Sequence, residues 1–396
     1  MEEARSPLLK MFAWNVILQF MKLVAVVKLI PTDEQAAFLL ATMERINEAC
    51  EWLAGRAFRL QVADKYKLHH LYYVELRNRF GLSAQMAVRT IGKVVDAYKR
   101  DRRKRPHFKP HGSIAYDQRI LSFKALDRVS ILTLDGRILV PFVCGDYHRA
   151  RLEGVRRQAD LVLRKGKWFL YVTVEVPDGA PIEPKGWLGV DLGIRNIATD
   201  SDGEQYSGSS IEAVRQRMQK FRSNLQAVGT RSAKRHLKKA SGREARFRAD
   251  VNHTISKRIV AKAKDTERGI SIEDLTGIRE RITVRKSQRA MHCGWSFFQL
   301  RSFLTYKGAL AGIPVAVVDP RNTSRTCPSC GYIDKANRKT QSEFSCKSCG
   351  FADHADHVGA INIARRAPVN TPIVAAIWSE THSCDTSPGL VTSLAL

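Results

Sequence analysis

The stretch WLGVDLGIRNIATDSDGEQYSG, residues 187–208, decides how the chain is read. It opens as an apolar strand interrupted by one carboxylate, Asp191. A turn, a second strand, the hairpin turn Asp202-Gly203 and a third short strand follow. A lone Asp inside an apolar strand is costly unless it is paired or binds a cation. The stretch therefore raises a fold and a site together.

Beyond it the pattern changes. Two long helices are expected over about 211–227 and 231–266, the second dense in Lys and Arg. A strand GISIEDL (269–275), a helix (294–312) and a strand IPVAVVD (313–319) come next, then a cysteine module and a last helix starting near Asp356. The order βββ-α-β-α-β-α is that of the ribonuclease H fold, here interrupted by a metal module. Glu273 ends its strand as a similarly isolated carboxylate, and Asp356 opens the last helix. Three carboxylates from separate elements can converge on one or two divalent ions, activate water and stabilise the leaving oxygen of a phosphodiester. Hard oxygen ligands favour Mg²⁺, with Mn²⁺ as substitute. Asp200 and Asp202 read as turn residues, Asp274 faces away by strand alternation, Asp319 is a possible fourth ligand, and Asp353 reads as a loop residue.

The cysteines carry the sharpest local signal. Cys327 and Cys330, then Cys346 and Cys349, form two CxxC pairs with fifteen residues between them, each followed by Gly. Four thiolates at that spacing build a closed tetrahedral Zn²⁺ site, structural rather than catalytic. The other four cysteines (Cys50, Cys144, Cys293, Cys384) are scattered, which suits a reducing cytoplasm better than a disulfide scaffold. No glycine-rich phosphate loop, Gly-x-Ser-x-Gly elbow or His-Glu-x-x-His occurs.

The chain has 65 Lys+Arg against 39 Asp+Glu, a formal charge of +26. That excess points to a polyanionic partner, since Lys and Arg release condensed counterions on meeting phosphates. In KRDRRKRPHFKP (99–110) seven of the first eleven residues are Lys or Arg. Lys99, Arg100, Arg102, Arg103, Lys104, Arg105 and Lys109 are candidate nucleic-acid contacts, as are Arg235, Lys238 and Lys239 of the basic helix. The apolar run 11–30 is interrupted by Lys22 and Lys28 and is not read as a membrane span.

Residues 21–32 and 107–180 are strand-rich and expected to form a small β-barrel or sandwich, with a helical insertion over 33–106. PDGAPIEPKG (177–186) is a linker. Residues 186–325 and 351–367 then form an α/β unit with the cysteine module, 326–350, inserted. Residues 1–20 read as an N-terminal extension and 368–396 as a disordered tail.

Four ordered motifs, GVDLGIRNIATDSDG, SIEDLTGIRER, WSFFQLRSFLTYKGALAGIPVAVVDPRNTSRTCPSCG and CGFADHADHVGAINIARR, resemble the TnpB (OrfB) family, transposon-encoded proteins related to compact type V CRISPR effectors. The resemblance is close over about 186–366. It implies a multidomain α+β protein with a RuvC-like nuclease domain and zinc ribbon, an N-terminal wedge-like barrel and a helical recognition insertion. It implies an RNA-guided DNA endonuclease, using guide RNA derived from the transposon end, cutting double-stranded DNA beside a short flanking motif, monomeric with its RNA and nucleoid-associated on DNA. Asp191, Glu273 and Asp356 match the family's three catalytic carboxylates. The last motif departs from the usual ADxNAAxNI at Val358 and Gly359, which puts the ordering of Asp356 in question. The alternatives are a guided DNA-binding regulator without useful cleavage, and an unguided RuvC-type nuclease or transposase.

Overall fold

The computed structural model describes residues 20–124, 127–193, 196–276, 297–340 and 342–367. Residues 1–19 of the expected extension and the expected tail, 368–396, lie outside the described residues.

Seven strands form one antiparallel sheet: β1 (Phe20–Leu29), β2 (Ile114–Tyr116), β3 (Leu121–Phe123), β4 (Arg128–Thr133), β5 (Gly136–Val143), β6 (Val155–Arg164) and β7 (Lys167–Pro177). The order is β2-β6-β7-β1-β5-β4-β3. The β6–β7 turn has Lys165 at φ 52 and Gly166 at φ 71, the two positive angles a tight hairpin requires. The edge strands β2 and β3 are consecutive in the chain, and Tyr116 Oη donates to Leu132 O across the gap at 3.2 Å, so the sheet nearly closes into a barrel. A short helix, α4 (Asp146–Leu152), was not legible in the sequence; its His148 Nδ1 accepts from Val26 N on β1.

Three helices leave and rejoin this sheet: α1 (Asp33–Leu60), α2 (Lys65–Phe80) and α3 (Ala84–Tyr98). Thr32 is the N-cap of α1, in a capping box with Gln35. The helical insertion breaks near 79–83, with Gly81 at φ 64 and Ser83 capping α3. A second break, at 61–64, is new: Gln61 adopts φ 53 and Asp64 caps α2. Leu39, Leu53, Leu76 and Ile91 of the helices share one apolar core with Val27, Leu161 and Leu170 of the sheet.

The second sheet has five strands: β8 (Trp187–Asp191), β9 (Asn196–Asp200), β10 (Gln205–Ser207), β11 (Gly269–Glu273) and β12 (Val315–Val318), in the order β10-β9-β8-β11-β12. β8, β9 and β10 are antiparallel neighbours, whereas β11 is parallel to both β8 and β12. Parallel neighbours need crossovers. α5 (Ser209–Val228) and α6 (Arg231–Asp265) lead to β11, and α7 (Phe297–Ala311) precedes β12. Ile255, Ile259 and Ala263 of α6 and Leu300 and Leu304 of α7 pack on Leu188, Val190, Ile270 and Ile272 of the sheet. The linker lies against the end of α7, with Gly179 N donating to Ala309 O and Ile182 N to Gly312 O. Beyond β12 a two-stranded ribbon, β13 (Glu343–Ser345) and β14 (Ala352–His354), leads into the last helix, α8, over 355–367. Asp353 is therefore a strand residue paired with Phe344, not a loop residue.

Candidate active site and metal centre

Parallel pairing aligns Ile272 of β11 with Val190 of β8. The next residues, Glu273 and Asp191, consequently leave neighbouring strands side by side at the C-terminal edge of the sheet, where open α/β sheets place their ligand sites. Asp356 reaches that edge because α8 lies directly on β8. A Cβ at Gly189 would stand 2.0 Å from Ala360 O, so only glycine lets the helix backbone come this close. The residue before it, Gly359, sits over Asp191, where a Cβ would meet Asp191 Cγ and Oδ2 at 3.3 Å.

Burial pushes the Asp191 carboxyl well above the usual carboxylate range, and the nearby charges of Glu273 and Asp356 push it further. Burial raises Glu273 too, against the pull of the Thr323 hydroxyl and of Arg366 and Arg338. Two enclosed carboxyls with like-charged neighbours are costly to ionise unless positive charge joins them. Part of that charge comes from the ribbon: Arg338 Nη2 lies 3.7 Å from Asp356 Oδ1. Asn196 Nδ2 donates to Asp356 Oδ2 at 3.3 Å.

The other acids of this region have partners of their own. Asp200, fully buried, takes Lys262 Nζ at 2.6 Å, and the same ammonium reaches Asp202 and Glu204. Asp274 is bound by Arg301 and Thr276. Asp319 is more exposed and accepts from Arg321 N at 2.9 Å, while its charge raises Glu273.

Among the described residues, Cys327, Cys330, Cys346 and Cys349 are the one set of three or more ligand side chains whose donor atoms all lie within 4.8 Å of one another. Cys327 and Cys349 sulfurs are 3.6 Å apart, as are those of Cys330 and Cys346. A tetrahedron with zinc–sulfur bonds of ~2.3 Å has edges of about 3.8 Å, so the donor set fits Zn²⁺. Burial pushes Cys346 up, but the N–H groups of Cys349 and Ser348 pull it down to about 6. Phe344 and Val358 are buried against the cysteines. Val358, where the family pattern has Asn, thus anchors α8 to the ribbon.

His357 fastens the start of α8 further, with Nδ1 2.7 Å from Asp353 Oδ2 and Nε2 3.2 Å from Ser201 O. The sequence reading did not single out Arg338, Thr323, Asn196 or His357. Asn196, at the head of the strand NIATD, had a local signal, whereas Arg338, Thr323 and His357 stand in polar sequence.

The basic run is partly committed within the chain. Arg105 and His107 side chains and the Phe108 N–H all converge on Glu51 of α1. Lys99 pairs with Asp96, and Arg103 and Lys104 with Asp101. Arg100, Arg102 and Lys109 are exposed, as are Arg235, Lys238 and Lys239 on α6. No helix among the described residues is long and apolar enough to cross a membrane.

Comparison with known proteins bears on the same regions. Residues 170–276 match a family model described as a probable transposase (OrfB_IS605), and residues 297–363 match the Cas12f1-like TNB domain. A CRISPR-associated endodeoxyribonuclease Cas12f1 of Sulfoacidibacillus thermotolerans is 33% identical over 51% of this chain and 50% of its own. A TnpB-like protein of Methanocaldococcus jannaschii is 27% identical over 52% of this chain and 79% of its own. The putative RNA-guided DNA endonuclease InsQ of Escherichia coli is 26% identical over 67% and 70%. The chain spans about half the length of the Cas12f1 relative. A solved Cas12f1–sgRNA–target DNA complex superposes with a TM-score of 0.55 at 14% identity, covering 82% of each chain, which is a likeness of fold.

Proposed function

We propose that this chain, related to the TnpB (OrfB) and Cas12f proteins through its transposase and TNB segments, is an RNA-guided DNA endonuclease with a RuvC-like catalytic sheet. What supports the reading is that Asp191 and Glu273 end neighbouring parallel strands, with the charges of Glu273 and Asp356 felt at Asp191, on a chain of net charge +26. The nearly closed barrel is the wedge domain, and α1 to α3 are the recognition insertion.

The donor chemistry fits hard divalent cations: enclosed carboxyl oxygens whose ionisation is opposed by burial and by one another. Asp191, Glu273 and Asp356 would hold Mg²⁺, which when bound would activate water and stabilise the departing oxygen of the phosphodiester. The protein's own side chains do the rest. Asn196 orients Asp356, and Arg338 brings a guanidinium to the mouth of the site, where it can grip a phosphate oxygen. The four cysteines would hold Zn²⁺ and so keep the Arg338 loop folded. Exposed cations on α6 and on residues 99–109 meet nucleic-acid backbone, and base pairing to the guide selects the target.

The test is to purify the protein with its bound RNA, sequence that RNA, and assay a matched duplex in Mg²⁺. Cleavage is expected for the wild type and not for Asp191→Ala, with equal RNA retention. Cleavage retained by Asp191→Ala, or undiminished after ribonuclease treatment, would sink the reading.

A further inference from the structure

We propose that Thr323 is a positioning residue for Glu273, and that Asn362 of α8 holds Thr323 in place. This rests on the reading of the three carboxylates as the metal-holding site. Thr323 lies between β12 and the first cysteine pair, 3% exposed, and its Oγ1 donates to Glu273 Oε1 at 2.5 Å. The hydroxyl has a single proton and a second acceptor in reach, Pro320 O at 3.0 Å. Once a cation holds Glu273 ionised, its carboxylate is the stronger acceptor and takes this proton. With one oxygen held this way, the Glu273 carboxylate is restrained from swinging about its last torsion.

The backbone of Thr323 is fixed in turn by α8. Asn362, 5% exposed, donates both Nδ2 protons to the segment, to Thr323 O and Thr326 O at 2.8 Å each. One turn on, Arg366 donates to Asp319 O at 2.7 Å and Arg321 O at 2.6 Å, and Arg365 donates to Pro328 O. An irregular segment must find partners for its carbonyls. Here five of them, between residues 319 and 328, end on three side chains of one helix. That helix also carries Asp356. Two of the three carboxylates are therefore oriented by a single rigid element, Asp356 directly and Glu273 through Asn362 and Thr323.

Thr323→Val removes the hydroxyl and keeps the shape, whereas Thr323→Ser keeps the hydroxyl. Two readouts apply: Mn²⁺ binding by the RNA-free protein, followed by loss of the free-ion EPR signal, and the Mg²⁺ needed for half-maximal cleavage by the RNA complex. Groups that orient a metal ligand are worth roughly 10–100-fold in metal affinity or activity. Thr323→Val is expected to weaken Mn²⁺ binding and raise the Mg²⁺ requirement by about tenfold or more on that scale, with Thr323→Ser near wild type and target binding unchanged. Asp191→Ala runs alongside. If it binds Mn²⁺ as the wild type does, the metal-site reading itself fails. If it loses Mn²⁺ while Thr323→Val binds normally, the positioning role alone falls. Should Thr323→Val not fold, Asn362→Leu tests the same link from the helix, and wild-type Mn²⁺ affinity there overturns the proposal.

Discussion

Replacing Gly359 by Ala sets two effects of known size against each other. Glycine in a helix interior costs about 1 kcal/mol relative to alanine, so the change should stabilise α8 by about that much. For a unit of this size 1 kcal/mol shifts the melting temperature by roughly 2–4 °C. The opposing effect is local: the new methyl carbon would stand 3.3 Å from Asp191 Cγ and Oδ2 and 3.7 Å from its Cβ. Carbon contacts are optimal at about 3.5–4.0 Å, so Asp191 must retreat by a few tenths of an ångström. Metal–ligand distances tolerate about 0.2 Å. The methyl also deepens the burial that already raises Asp191. Differential scanning fluorimetry in metal-depleted buffer should show the higher melting temperature, while Mg²⁺ titration of cleavage should show a several-fold higher requirement. A melting temperature that rises with an unchanged Mg²⁺ requirement would refute the idea that α8 is pressed against Asp191. A fall in melting temperature would refute the estimate that the contact is cheap to relieve.

The same burial gives Asp191→Asn a pH signature. Burial, and then Glu273, raise Asp191 above its unfolded value, so over that interval the folded chain keeps a proton that the unfolded chain has lost. Its stabilising contribution is whole below the ordinary carboxylate range and disappears as pH rises through the raised folded value. Asp191→Asn should therefore melt with the wild type near pH 4, about the unfolded value, and above it at neutral pH; parallel curves would count against the raised carboxyl. Lys262→Met should leave the fully buried Asp200 without its cation. Breaking a buried pair costs about 3–5 kcal/mol, so urea denaturation showing a loss below about 1 kcal/mol would mean that the backbone N–H groups of Asp202 and Glu204 suffice for Asp200.

What could be read from the sequence was whatever neighbours in the chain dictate. Apolar runs carrying Asp191 and Glu273, the hairpin turn at Asp202-Gly203, and two CxxC pairs are local patterns with local causes. The break at 61–64 escaped because a non-glycine residue, Gln61, takes the left-handed conformation while helical periodicity runs on. The basic run read as candidate nucleic-acid contacts; its tie to α1 depends on Glu51, more than fifty residues earlier. Thr323 meets Glu273 across fifty residues, and Arg338 meets Asp356 only once the ribbon has folded. Spacing carries no trace of such pairings.

The closure of β8 by α8 has a consequence in time. Chains are made from the N-terminus, and early domains generally fold as they emerge. The barrel, its three helices and strands β8 to β12 can all be on the ribosome surface while Gly189 still faces solvent and Asp191 and Glu273 have no third partner. Residues 355–367 come more than eighty residues after Glu273. The acidic cluster thus assembles only after its scaffold has been made, and a nascent chain stalled before Asp356 carries the scaffold of the site without the site.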